Sequence, residues 1–103
     1  MFTINESTNA ITLTRGDTAV FNVDLKNYEK QDGDVIVMTI KKKITDAEPV
    51  LSKYAEDGVI IFMPDDTISL LGRHVYDIQI TTNLGAVYTP ILSTITFERG
   101  VTE

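Results

Sequence analysis

Phe62-Met63-Pro64-Asp65-Asp66-Thr67-Ile68-Ser69-Leu70-Leu71-Gly72-Arg73-His74-Val75-Tyr76-Asp77-Ile78-Gln79-Ile80 decides the fold class, because it carries two strand patterns joined by a tight corner. The first pattern, Val59 to Met63, is a continuous apolar run too short for a buried helix, and Pro64 stops it by having no N–H to give to a ladder. It is expected to lie in the core. Asp65 and Asp66 then stand where capping carboxylates stand and Gly72 closes the segment, which predicts a single helical turn rather than a helix. From Arg73 to Thr82 the period becomes two, with His74, Tyr76, Ile78 and Ile80 on one face and Val75, Asp77 and Gln79 on the other.

The same period recurs outward from this stretch. Ala19, Phe21, Val23 and Leu25 alternate with Thr18, Asn22 and Asp24, the pattern of a half-buried strand, and Ile11 and Leu13 alternate with threonines just before it. Arg15-Gly16-Asp17 is the turn between the two. Asn5, Glu6, Ser7, Thr8 and Asn9 make residues 1–9 a polar arm, expected to be flexible or edge-pairing. Lys26 to Asp34 reads as an exposed loop ending in an Asp32-Gly33-Asp34 turn, and Val35 to Lys43 as a third strand. Ile44 to Gly58 is the least readable stretch, with a short strand expected at Val50-Leu51-Ser52. A hairpin at Asn83-Leu84-Gly85 leads into Ala86 to Glu98, where Ile91, Ser93, Ile95 and Phe97 form one row and Pro90 marks a bulge or an edge.

Turn signals about every ten residues and no long helical period predict an all-β fold. The expectation is an immunoglobulin-like antiparallel β-sandwich of about seven strands with one short helical turn. A chain of 103 residues fits a single domain spanning 1–103. The lysines ending the third strand and the Pro90 segment are expected to be exposed edges. Lys41, Lys42, Lys43 and Pro90 are therefore the candidate interface residues for a homo-oligomer.

Hydrophobic residues make up 43% and charged residues 23%, the balance of an ordinary globular protein. Fifteen acidic against nine basic side chains give a net charge of −6, which opposes binding to a phosphate backbone or to an anionic membrane surface. Neither nucleic acid nor membrane is an expected partner. The absence of cysteine excludes disulfides, zinc–thiolate sites and thiol catalysis. Met1 to Glu6 has neither the positive nor the apolar region of a secretory signal, so the chain is expected to act in the cytoplasm or after processing.

Four groups of residues carry side chains capable of chemistry or recognition. Arg15-Gly16-Asp17 spells an integrin-recognition tripeptide, but glycine and aspartate are also what a turn requires. Asp65 and Asp66, with Asp57 or Asp77, supply oxygens for calcium, yet their spacing matches no calcium loop and helix capping accounts for them. His74 would need Asp77 and a serine such as Ser69 or Ser93 to build a nucleophile, but residues 74 and 77 fall on opposite faces of a strand. Among the aromatics only Tyr28 and Tyr54 fall in expected loops, so a sugar-stacking platform is weakly supported. No catalytic residue, metal or cofactor is expected.

Thr12-Leu13-Thr14-Arg15-Gly16-Asp17-Thr18 followed by Phe21-Asn22-Val23, and Phe62-Met63-Pro64-Asp65-Asp66-Thr67 with Gly72, Tyr76, Asp77, Ile78 and Gln79, resemble the N-terminal domains of phage baseplate upper proteins. The resemblance spans nearly the whole chain. It implies a non-enzymatic structural or assembly protein of a tailed phage or prophage, whose partners are other tail or baseplate proteins. It also implies a place in the virion, or in the host cytoplasm during assembly. Arg15, Gly16, Asp17, Pro64, Asp65, Asp66 and Gly72 carry over as structural turns only. Baseplate upper proteins continue into a helical or fibre region that is not present here, so the chain is expected to be a stand-alone adaptor or a fragment of a longer tail protein. The alternative is a β-sandwich module that binds carbohydrate or a cell surface.

Overall fold

The computed structural model describes residues 1–23 and 31–101. Two β-sheets face each other as a sandwich, with one helical turn at a corner. The strands are β1 (Phe2–Ile4), β2 (Ile11–Thr14), β3 (Ala19–Asn22), β4 (Val35–Lys41), β5 (Leu51–Tyr54), β6 (Val59–Phe62), β7 (Gly72–Thr81) and β8 (Val87–Glu98), and α1 (Pro64–Thr67) precedes β7. The larger sheet runs β1-β2-β8-β7-β4-β5, and the smaller one is the pair β3-β6. An immunoglobulin constant-type division would be four strands against three. Here the described strands divide six against two, and β2 joins β8 in parallel while the other pairs are antiparallel.

The hairpin of β7 and β8 is the spine. β8 alone has twelve residues, a strand about 40 Å long at about 3.4 Å per residue. His74, Tyr76, Ile78 and Ile80 of β7 are all buried, in the row that their alternation predicts. The pairing slips between Ile78, opposite Ile91, and Ile80, opposite Tyr88. Pro90 lies in the extra length of β8, where its missing N–H falls in an interrupted ladder.

The third strand is not an edge. β4 pairs with β7 along its whole length and with β5 on its other side, so the lysine-ended strand is interior to the sheet. It ends at Lys41, and Lys42 and Lys43 lie in the bend that follows. The edge signal in those lysines is better read as the exit from an interior strand into solvent. The true ends of the larger sheet are β1 and β5.

The smaller sheet presses Ala19, Phe21, Ile60 and Phe62 onto the core, which also contains Ile11, Leu13, Met38, Ile40, Tyr76 and Phe97. Only two of the five residues in the apolar run from Val59 to Met63 are core. Ile60 and Phe62 are fully buried, whereas Ile61 and Met63 are 48% and 52% exposed. A run buried on both faces needs a layer on each side, and among the described residues nothing covers the outer face of β3-β6.

β5 passes from one sheet to β6 in the other through Asp57 and Gly58, whose φ values are +52° and +77°. Glu56 and Val59 exchange two backbone hydrogen bonds of 2.9 Å across them. These are the marks of a type I′ turn, for which Asp-Gly is a preferred pair. A methyl group added at Gly58 would meet nothing within 4 Å, so its cost there is purely conformational. Gly58→Ala is expected to lower stability by about 1–2 kcal/mol, as read from urea unfolding, while Asp57→Asn stays within about 0.5 kcal/mol.

Candidate interaction surface

The two turns that carry the resemblance meet in space. Thr67, fully buried in α1, accepts a hydrogen bond at Oγ1 from the Gly16 N–H at 2.9 Å. Gly16 has φ +80°, so the turn needs glycine for its conformation; a Cβ there would come within 2.7 Å of Ile68 Cδ1, the tip of a half-exposed side chain that can swing aside. The neighbouring Arg15 N–H donates to the Glu98 carbonyl at 2.9 Å, and Asp17 pairs with the terminal ammonium of Met1. The Arg15-Gly16-Asp17 tripeptide is thus tied into the fold on both sides.

At the corner, Pro64 occupies the first helical position and Asp66 reaches back to the Met63 N–H at 2.8 Å. Asp66 also accepts from Lys53 Nζ of β5 at 2.9 Å. The Met63 N–H, helped by Lys53, holds the Asp66 carboxyl below the usual carboxylate range against an opposing push from burial. Asp66 therefore favours the folded state above the pH at which carboxylates titrate in the unfolded chain, and this contribution fades as pH falls through its lowered pKa. Asp65 is exposed, and Gly72, with φ +89°, opens β7 and offers its carbonyl to His74 Nδ1 at 3.0 Å.

His74 is buried, edge-on to Phe97 with ring centroids 5.2 Å apart. Asp77 sits on the outer face of the larger sheet, opposite Thr39 and Leu92, where burial raises its pKa and Lys41 partly offsets that rise. The fold therefore does not bring His74 and Asp77 together. Ser93 is engaged elsewhere, donating to the Thr8 carbonyl at 2.8 Å. Among the described residues no three of the His, Asp and Glu side chains converge as metal ligands, and no helix is long and apolar enough to cross a membrane.

What the fold does assemble is a groove of mixed apolar and polar lining on one flank of the sandwich. Tyr76 Oη donates to the Asn9 carbonyl at 2.6 Å and, with Ser93, pins the loop between β1 and β2. That holds Phe2 and Ile4 of β1 over β3, where the rings of Phe2 and Phe21 lie 5.4 Å apart. Phe2, Ile4, Val20, Phe21 and Ile91 line a groove of about 320 Å³ between the sheets, with Glu6, Asn9 and Asn22 as its polar lining. Val20 belongs both to this groove and to the outer face of the smaller sheet, where it stands directly opposite Ile61. Exposed Val20, Ile61 and Met63 thus continue the apolar surface around the strand.

Sequence reasoning missed the groove. The Phe2-Thr3-Ile4 alternation inside the polar arm was the available signal, and its three residues are too few to stand out from chance. Tyr28 lies outside the described residues. Tyr54 and Tyr88 are exposed on opposite faces of the larger sheet, since Tyr54 pairs with Val37 of the outer row and Tyr88 with buried Ile80.

No family model, curated protein or solved structure matches this chain.

Replacing the Thr67 hydroxyl leaves the Gly16 N–H without its acceptor, so Thr67→Val is expected to cost about 1–3 kcal/mol in urea unfolding. Thr67→Ser keeps the acceptor and should cost about 1 kcal/mol. Burial pushes Tyr76 up to about 12 from its ordinary value of 10.0. A raised pKa favours the fold below the unfolded value and loses that advantage as pH rises. Unfolding free energy should therefore decline between about pH 10 and 12, and Tyr76→Phe should flatten that alkaline limb while costing about 1 kcal/mol at neutral pH.

Proposed function

We propose that this chain is a non-enzymatic structural or assembly protein of a phage tail or baseplate, acting through contacts with other tail proteins. The observation that carries the reading is the groove, in which Phe2, Ile4, Val20, Phe21 and Ile91 are lined up with polar side chains, together with the exposed Val20, Ile61 and Met63 beside it. Surfaces of that kind on small soluble domains serve protein–protein contacts. The assignment to a phage tail comes from the resemblance carried by Thr12 to Val23 and Phe62 to Gln79. In support, Gly16 and Thr67, which belong to those two stretches, form the contact that joins them.

The chain works in the virion, or in the host cytoplasm while the virion assembles. A carbohydrate-binding module would need a shared aromatic platform, and the opposed faces of Tyr54 and Tyr88 weigh against one. The experiment is mass spectrometry of purified particles and tail intermediates from cells that express the gene during phage production. The expected result is a fixed stoichiometry with a tail or baseplate protein. A chain absent from every particle and intermediate, and retained instead on a glycan array, would replace this reading with the carbohydrate one.

A further inference from the structure

The smaller sheet stops at two strands, and β3 is where it stops short. Val23 donates its N–H to the Gly58 carbonyl at 2.8 Å. Bonded pairs recur at every second residue of an antiparallel ladder, so Ala19 and Phe21 turn their amides toward β6 while Val20 and Asn22 turn theirs the other way. Among the described residues no strand pairs on that side. Val20 and Asn22 are also the two β3 residues, besides Phe21, that line the groove, so a free backbone edge coincides with a trough in which Phe2, Ile4 and Ile91 stand beside polar side chains. Opposite that edge, Phe2, Ile4 and Ile91 are only partly buried against the core.

From this geometry, and resting on the protein-contact reading above, we infer that the groove takes an extended segment of a partner protein, which adds to β3 as a third strand. Alternate side chains of such a segment point into the trough and replace solvent over Phe2, Ile4 and Ile91, while its backbone satisfies Val20 and Asn22. The occupant is a different protein rather than a second copy. Each copy carries a net charge of −6, which opposes self-association, and the ionisable side chain lining the groove is the acidic Glu6. Charge complementarity therefore selects a segment with alternating apolar residues and a lysine or arginine flank.

The test is selection from a library of random short peptides on the full chain, followed by affinity measurement and amide NMR mapping on three variants. Val20→Pro removes the outward N–H without touching the ladder to β6, at an edge position where proline is tolerated. Val20→Thr keeps that N–H, and Glu6→Lys changes only an exposed charge. Selected peptides are expected to alternate apolar residues, carry a basic flank and shift the Val20 and Asn22 amides. Val20→Pro should weaken them about tenfold, Val20→Thr should not, and selection on Glu6→Lys should favour acidic flanks. Failure to enrich any sequence overturns the inference, as do peptides that map elsewhere or ignore both Val20→Pro and Glu6→Lys. If Val20→Pro does not fold, the Glu6→Lys arm and the NMR map decide alone. A tail-protein complex that forms equally well with both variants overturns the groove and leaves the protein-contact function standing.

Discussion

Burial of Phe21, Ile60 and Phe62 against the six-stranded sheet is the interaction on which the rest of the molecule depends. A two-stranded ribbon is marginally stable in water, so β3-β6 exists only while it is clamped to a larger partner. Three polar ties hold the clamp in register: the Asp57-Gly58 turn that hands β5 to β6, the Lys53–Asp66 pair, and the Gly16–Thr67 hydrogen bond. Each spans the two layers near an end of the ribbon, where apolar packing alone would leave it free to slide.

The same economy explains where the polar side chains went. Tyr76 and Ser93 hold the loop of the N-terminal hairpin, Asp34 accepts the Asn83 N–H at 2.9 Å to join two loops, and His74 is bonded to the Gly72 carbonyl. Buried polar groups without partners are costly in a small core, and each of these meets a backbone group. His74 and Ser93 are thereby tied into the architecture, while the groove left open lies along a strand edge.

The contrast between β7 and β6 separates what local sequence can say from what it cannot. Alternation from Arg73 to Ile80 specified both the strand and its buried row, since a one-residue slip would turn four core side chains to solvent. The run beginning at Val59 specified a strand but not its burial, because continuous apolarity does not say whether one layer or two will cover it. Asp57-Gly58 held a hairpin signal that was lost among the acidic residues around it. Pro64 opened the helical turn as expected because proline acts through the backbone at its own position, whereas the turn ends at Ile68 and Gly72 begins β7 instead of capping the helix.

By itself the sequence determined the fold class, most of the strands, the helical turn at Pro64 and the exclusion of thiol chemistry, all of which follow from period, punctuation and composition. Tertiary structure alone decided that β4 is interior, that β2 runs parallel to β8, that Gly16 meets Thr67, and that among the described residues β3 keeps an open edge beside a groove. The physical reason is range. Turn chemistry and side-chain alternation act over a few residues, whereas neighbours in a sheet are chosen by how dozens of distant residues share one core, and an open edge is whatever that choice leaves unpaired.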